Sequence, residues 1–155
     1  MKVYTMGYQR LDLYWAVREY LPRLGIRVIA DVRERAYSWT EWTDENLQRA
    51  TRGTGLLYRH YAHLGVPRPW RRALREGKLV WDEYLKLYRE HLSTTARDDL
   101  RALGEMVQTQ PTVLLCYEED PYRCHRSALA EALVLAGWAA EVVHLRPVLD
   151  HPEET

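Results

Sequence analysis

Hydrophobic residues occur along the chain in two kinds of pattern. Short apolar runs bounded by glycine, proline or charged residues are typical of β-strands, and runs that stay apolar throughout are typical of buried, parallel sheets. Between them, apolar side chains recur every three or four residues, which predicts amphipathic helices. We predict strands at Lys2 to Met6, Ile26 to Ala30, Leu56 to Tyr61, Thr112 to Cys116 and Ala139 to Leu145.

Polar residues that cap helices mark where several of the predicted helices begin. Asp12 precedes the first helical pattern and Thr43 the second, where a side-chain oxygen binds free backbone N–H groups. Two longer amphipathic helices follow. They are predicted at Trp81 to His91 and at Arg97 to Val107, the latter opened by Thr94 or Thr95.

The last predicted helix has the clearest start signal in the chain. Asp120 is a suitable N-cap, and Pro121 fits the first helical position, where its missing N–H costs nothing. We expect the helix to continue to about Ala136. Successive residues of a helix point about 100° apart, so three adjacent residues near its start should face outward in three directions. These residues are Cys124, His125 and Arg126.

The alternation of strands and helices predicts an α/β fold. With 155 residues, of which 46% are hydrophobic, the chain is expected to form one domain with one substantial core. We predict a three-layer sandwich in which helices cover both faces of a mostly parallel sheet of about five strands. The domain is expected to span residues 1–146, followed by a loose C-terminal tail, 147–155.

The composition indicates in which compartment the protein is expected. No apolar run approaches the roughly 20 residues that span a bilayer, and the first residues lack the apolar core of a signal peptide. We therefore expect a cytoplasmic protein without membrane contact. The sequence leaves the oligomeric state open.

The charges are unevenly spread although the formal net charge is zero. Residues 46–78 carry eight basic side chains against one acidic side chain, which indicates an anionic partner. A proline-containing loop is expected from Val66 to Arg72, and its tryptophan offers a stacking surface for a nucleic acid. An ordinary solvated loop explains the same composition. The candidate nucleic-acid-binding residues are Arg68, Trp70, Arg71 and Arg72.

Several polar residues follow the predicted strands. Ligands of parallel α/β sheets bind beyond the carboxyl ends of the strands, so these residues are expected to share one edge. Asp31 and Glu118 are candidate catalytic carboxylates, and one or the other is expected to orient another catalytic group. The candidate substrate-binding residues are Gly7, Tyr8, Arg33, His63 and Arg126, the two arginines as clamps for an anion.

The two cysteines are too few for a disulfide framework, and they fit free thiols, metal ligands or a redox pair. Cys124 lies near a predicted helix N-terminus, where positive charge favours a thiolate, so it is the candidate nucleophile or redox thiol. His125 is the candidate acid or base. Cys116 is expected to be structural, because the three carboxylates that follow it, Glu118-Glu119-Asp120, would repel a phosphate.

Metal binding and a purely structural role are the alternatives for the same segment. Zinc-type ligands occur within ten residues, at Cys116, Glu118, Cys124 and His125. Their spacing matches no standard zinc knuckle, and adjacent helical residues diverge, so we expect no metal and no other cofactor. In the structural alternative, His125 hydrogen-bonds to a neighbouring loop and Arg126 pairs with Asp31 or Glu118.

Several of these segments occur together in one known family. They are Thr5-Met6-Gly7-Tyr8, Asp31-Val32-Arg33, Leu64-Gly65 and the pattern Cys-x-Glu-x-x-Pro-x-x-Cys-His-Arg from Cys116 to Arg126. From residue 2 to about 145 the chain resembles the domain of unknown function 488 family, a resemblance that implies no established activity. The chain departs at Gln9-Arg10, where Ser or Thr is usual, and at Val66-Pro67, where a second glycine is usual. These departures weaken the case for close backbone contact between these loops and a ligand.

The leading hypothesis is a small enzyme with a Cys-His-Arg site at the C-terminal edge of the sheet. Its substrate would be anionic and phosphate-bearing, either a nucleotide or a nucleic acid. The alternative is a non-catalytic module that binds nucleic acid or protein through the basic surface of residues 46–78.

Overall fold

The computed structural model describes residues 1–147, and the tail expected at 147–155 lies outside these residues except for Pro147. One sheet of five parallel strands has the order β3-β2-β4-β1-β5. The predicted single-domain α/β fold is confirmed. The strands are β1 (Lys2–Gly7), β2 (Val28–Asp31), β3 (Leu57–His60), β4 (Thr112–Cys116) and β5 (Glu141–His144).

Six helices accompany the sheet within residues 1–147. The first, α1, consists of Leu13–Trp15, a π-helical turn at Ala16–Tyr20 and Leu21–Arg23. None of the helices in this part of the chain is long and apolar enough to span a bilayer. The others are α2 (Asp44–Thr51), α3 (Arg68–Arg75), α4 (Trp81–Ser93), α5 (Arg97–Thr109) and α6 (His125–Leu135).

Two hydrophobic cores lie on opposite faces of the sheet, because successive side chains of a strand point to opposite faces. In β4, Val113 and Leu115 pack against α1 and α2, whereas Leu114 and Cys116 pack against α4, α5 and α6. Cys116 is the last residue of β4. It therefore lies at the C-terminal edge of the sheet, on the face that α6 covers.

The predicted caps are confirmed for two helices and wrong for a third. Asp12 and Thr43 each accept a hydrogen bond from a backbone N–H in the first turn of the helix that follows. Helix α5 instead begins after Ala96, without a side-chain cap. The hydroxyl of Thr94 donates to the carbonyl oxygen of Glu90 in the preceding helix, so it is not available to cap α5.

The basic segment expected to be a loop forms helix α3. Its proline, Pro69, lies in the first turn, where a backbone N–H has no helical partner to lose. Trp70 and Leu74 are four residues apart and both pack against the hydrophobic core. The proline therefore starts a helix here, and an apolar face anchors that helix to the domain.

The strand register brings the predicted functional residues to one edge. Gly7 pairs with Cys116, and Asp31 pairs with Leu115, so β1, β2 and β4 end at nearly the same level. A Cβ atom at Gly7 would lie 1.7 Å from the carbonyl oxygen of Glu118. Only glycine allows this close approach, which fixes the loop that follows β4 against the end of β1.

Candidate functional site

The chain between β4 and α6 contains a break where a continuous helix was predicted. Pro121–Arg123 forms a single 3₁₀ turn, and the side chain of Asp120 accepts a hydrogen bond from Tyr122 N at 2.9 Å. Cys124 then has extended backbone angles, φ −136° and ψ 146°, and is the N-cap residue of α6. The prediction of one helix starting at Asp120 is wrong, because the capped turn ends after three residues.

Because of this break, the side chains of the Cys-His-Arg segment point into the interior of the protein. Cys124 is 2% exposed, His125 is 7% exposed and Arg126 is fully buried. The prediction that these three side chains face outward is therefore wrong. Because Cys124 lies outside the helical turn, the angle between it and His125 is not the helical angle on which that prediction rested.

The two cysteines and the histidine form one compact cluster. The Sγ atoms of Cys116 and Cys124 each lie 3.7 Å from Nδ1 of His125, and all three atoms lie within 4.8 Å of one another. The expectation that helix geometry separates Cys124 from Cys116 is therefore wrong, and the structural role expected for Cys116 stays a prediction. The strand end supplies one thiol and the helix start supplies the other.

The ring of His125 is held in one orientation. Its Nε2 donates a hydrogen bond to the carbonyl oxygen of Val32 at 2.8 Å, and the ring of Tyr88 packs edge-on against it at 5.1 Å. The structure thus contains the hydrogen bond to a neighbouring loop that the structural alternative for His125 requires. This hydrogen bond leaves the other ring nitrogen, Nδ1, facing the two sulfurs.

The thiols and the imidazole shift one another's protonation. Burial opposes ionisation of Cys124, but the hydrogen bond from Cys116 and the charge of His125 outweigh burial and hold the pKa of Cys124 well below its usual value. The hydrogen bond to Cys124, together with burial, raises the pKa of Cys116. Although burial lowers it, the pKa of His125 is raised by the Cys124 thiolate. The cluster therefore favours one thiolate, at Cys124, beside an imidazolium.

A carboxylate completes the cluster. Oε2 of Glu118 lies 3.8 Å from Sγ of Cys116. Burial, followed by the negative charge of Cys124, raises the pKa of Glu118 to about 7. This carboxyl group therefore changes protonation near neutral pH, and it lies where a proton could be exchanged with the thiols.

The cluster lies at the buried end of a cavity of about 330 Å³. Two of the arginines in its wall are paired, Arg33 with Asp31 and Arg71 with Glu34, both at 2.7 Å. Arg35, Arg68 and Arg123 also line the cavity, and none has an ion-pair partner within the described part of the chain. The apolar and aromatic lining consists of Tyr8, Tyr37, Val66, Leu74, Trp81, Tyr84 and Tyr117.

The predicted pair Asp31 and Arg33 is a buried ion pair whose hydrogen bonds are all made within the protein. Arg33 donates to both carboxylate oxygens of Asp31, at 2.8 and 2.7 Å, and to the carbonyl oxygen of Trp42 at 2.6 Å. The hydroxyl of Tyr58 donates to Asp31 at 2.6 Å. Arg33 lines the cavity, but Asp31 does not.

Two other predicted site residues lie outside the cavity. The side chain of His63 is 71% exposed and lies 3.2 Å from Asp99. Arg126 donates to the carbonyl oxygens of Glu118 and Glu119, so it binds the loop after β4 rather than a carboxylate. The predicted pairing of Arg126 with the side chain of Asp31 or Glu118 is not among its contacts in the described chain.

The candidate nucleic-acid-binding residues do not form one surface. Arg68 and Arg71 line the cavity, whereas Arg72 pairs with Glu76 at 3.3 Å on the outside of α3. Trp70 is partly buried, and its ring packs edge-on against His91 at 5.6 Å. The stacking surface that the alternative hypothesis requires is thus used for internal packing.

Several cavity residues were missed in the sequence. Arg35 and Tyr37 belong to the long loop after β2, and their position beyond a strand end was a usable signal. Trp81 and Tyr84 are three residues apart on α4, a spacing that is typical of a helix face packed against the core. Their part in the cavity depends on how α4 packs, and the sequence alone does not specify that packing.

Comparisons with known proteins give a family and nothing more specific. No curated protein and no solved structure matches the chain. The model of one family, described as Domain of unknown function DUF488, matches residues 15–133. This match covers well over half of the chain and includes the Cys-His-Arg segment. The chain therefore belongs to the DUF488 family.

Proposed function

We propose that the protein is an enzyme that acts on a small, phosphate-bearing or otherwise anionic substrate. The observation that carries this proposal is the position of the Cys116, Cys124 and His125 cluster at the buried end of a cavity whose wall contains three arginines without ion-pair partners in the described chain. The arginines bind the anion, and the cluster carries out the chemistry.

Anion binding follows from the arginines of the cavity wall. Arg35, Arg68 and Arg123 are exposed, come from three different segments and line the same cavity. A guanidinium group donates two parallel hydrogen bonds to a phosphate or carboxylate, and it remains charged at all physiological pH values. The paired arginines of the wall are already neutralised by their carboxylates, so the three others supply the net positive charge.

The thiolate of Cys124 is the proposed nucleophile. It attacks the phosphorus atom of a phosphate ester, and the bond between phosphorus and the leaving oxygen breaks as the sulfur–phosphorus bond forms. His125, protonated at Nδ1, donates that proton to the leaving oxygen. Water then hydrolyses the thiophosphate, which returns the proton to His125 and restores the thiolate.

Binding of the anion is tested by calorimetric titration of metal-free protein with tripolyphosphate. The double variant Arg68→Ala with Arg123→Ala should bind at least roughly tenfold more weakly, since each charge-assisted hydrogen bond contributes about 1.5–3 kcal/mol. Arg52→Ala with Arg101→Ala removes the same charge from exposed positions that do not line the cavity, and it should bind like the wild type. Equal weakening in both double variants would indicate only a general charge effect.

Turnover is tested with a panel of phosphate monoesters, phosphate diesters and nucleotides. We expect release of phosphate or of the leaving alcohol from at least one of them, and loss of that activity in Cys124→Ser. A short single-stranded RNA and a single-stranded DNA serve as further ligands. Tight binding of either, unaffected by the Arg68→Ala and Arg123→Ala changes and without turnover of any substrate, would favour the nucleic-acid-binding module instead.

A further inference from the structure

The three donor atoms of the cluster have the spacing of a metal site. A tetrahedral zinc ion lies about 2.3 Å from a thiolate sulfur and about 2.0–2.1 Å from a histidine nitrogen, which places these two ligand atoms about 3.6 Å apart. Nδ1 of His125 lies 3.7 Å from Sγ of Cys116 and 3.7 Å from Sγ of Cys124. Small side-chain rotations would bring all three atoms to one ion.

The surroundings of His125 are those of a metal ligand. A metal-binding histidine usually donates its second ring nitrogen to a carbonyl or carboxylate, which fixes the ring and directs the free lone pair at the metal. Nε2 of His125 makes this hydrogen bond with the carbonyl oxygen of Val32 at 2.8 Å. Tyr88 supports the ring from the side. The donor nitrogen is therefore oriented before any ion binds.

Charge and burial favour the same interpretation. Cys116, Cys124 and His125 are 6%, 2% and 7% exposed, so their charges are costly unless neutralised. Two thiolates and a neutral imidazole around a divalent cation have no net charge. Thiolate and imidazole ligands together select zinc over magnesium or calcium, which prefer oxygen ligands.

We propose that Cys116, Cys124 and His125 bind a zinc-class divalent cation. All three residues line the cavity, so a fourth coordination position would face it, beside Glu118. A tetrahedral zinc ion with three protein ligands keeps this fourth position open for water or another small ligand. This inference concerns the cluster alone and does not depend on the proposed enzyme activity. If that activity is correct, an ion bound by Cys124 also withdraws the nucleophile, so the metal-bound protein is the inactive form.

Titration of metal-free protein with cobalt(II) tests the site, because thiolate ligands and tetrahedral geometry both give characteristic absorption. We expect one equivalent of cobalt, a thiolate-to-cobalt charge-transfer band, and displacement of cobalt by zinc. Cys116→Ser and Cys124→Ser should each weaken binding at least roughly 100-fold, since loss of a ligand exceeds the 10–100-fold cost of losing its supporting partner. His63→Ala removes an exposed histidine outside the cluster and should leave the titration unchanged.

A second measurement uses only the wild-type protein and so does not depend on the folding of the variants. Zinc should protect both cysteines from iodoacetamide, and a chelator should remove the protection. No thiolate band with folded wild-type protein, or cobalt binding that survives both serine substitutions, would overturn the proposal. Tripolyphosphate binding is measured on metal-free protein, so failure of the metal site and failure of the anion-binding proposal are distinguished.

Discussion

Two groups of ionisable residues lie at the ends of neighbouring strands, yet their surroundings are opposite. Asp31 and Arg33, after β2, form a buried ion pair in which every strong donor and acceptor is directed at protein, including the hydroxyl of Tyr58. At the end of β4, the sulfurs of Cys116 and Cys124 each contact Nδ1 of His125 at 3.7 Å, and both residues line the cavity. The Asp31–Arg33 pair thus uses its hydrogen-bonding groups within the protein, whereas the two thiols face a cavity in which they can react with a bound molecule.

This difference shows why position at a strand end is not enough to assign chemistry. Removing one partner of a saturated, buried ion pair leaves an uncompensated charge, so we expect the pair to act mainly on stability. If Cys124 is replaced by serine, His125 can lose its proton and become neutral, so no buried charge is left without a partner and the main effect should be on reactivity. Substitutions in the two groups should therefore separate stability from turnover.

The largest expected effect comes from Cys124→Ser. If Cys124 is the nucleophile, turnover of the substrate found in the panel should fall at least about 10³-fold, since loss of a nucleophile removes most of the chemical acceleration. The free energy of unfolding should change by no more than about 2 kcal/mol, because serine has nearly the same shape. Kinetics and urea denaturation check the two parts. Normal turnover in a folded Cys124→Ser protein would remove this residue from the mechanism.

Asp31→Ala should have the largest effect on stability. It leaves the guanidinium of Arg33 buried without its partner, so the free energy of unfolding should fall by about 3–5 kcal/mol, measured by urea denaturation. Glu34→Ala breaks the more exposed pair with Arg71 in the same cavity wall and should cost at most about 1 kcal/mol. A stable Asp31→Ala protein that has lost turnover would instead assign this carboxylate to catalysis.

Tyr58→Phe sharpens the comparison with a smaller change in the same ion pair. It removes only the hydroxyl that donates to Asp31 at 2.6 Å, which should cost about 1.5–3 kcal/mol of unfolding free energy. Turnover should be unchanged, because Tyr58 does not line the cavity that contains the thiols. A change in turnover with unchanged stability would show that the ion pair communicates with the cluster.

The smallest expected effect concerns His144, an ionisable residue at the end of β5. Burial first, and then repulsion from Arg126 and Arg146, lowers its pKa in the folded protein. Its neutral form accordingly contributes stability that is fully present above the unfolded pKa of about 6.5 and is lost as pH falls from that value through the lower pKa of the folded protein. His144→Gln should reduce the loss of stability between about pH 7.5 and about pH 5.5. If the free energy of unfolding changes by the same amount between these two pH values in His144→Gln and in the wild type, this histidine does not contribute.

Much of the fold was predictable because its signals are local. The apolar run Thr112 to Cys116 is the observed strand β4, and the caps at Asp12 and Thr43 are confirmed. These features depend on a few adjacent residues. The proline of α3 was misread, because proline starts a helix as readily as it interrupts one, and the apolar partner of Trp70 was not visible in the sequence.

The site was predictable in its location but not in its internal arrangement. The segment with both cysteines was recognised from residue types near a strand end. The pairing of Cys116 with Cys124 was missed, because it requires the helix to begin at His125 instead of Asp120. That shift depends on the short turn after Pro121 and on the packing of the loop against Gly7, which is a long-range contact.

The alkylation rate of Cys124 by iodoacetamide tests the central claim most directly, measured at neutral pH on metal-free protein with and without tripolyphosphate. Peptide mass spectrometry separates the two cysteines. The account predicts that Cys124 reacts faster than Cys116 and that tripolyphosphate slows this reaction, because the anion occupies the cavity above the thiolate. Equal reactivity of the two thiols, or a rate for Cys124 that tripolyphosphate leaves unchanged, would contradict the account.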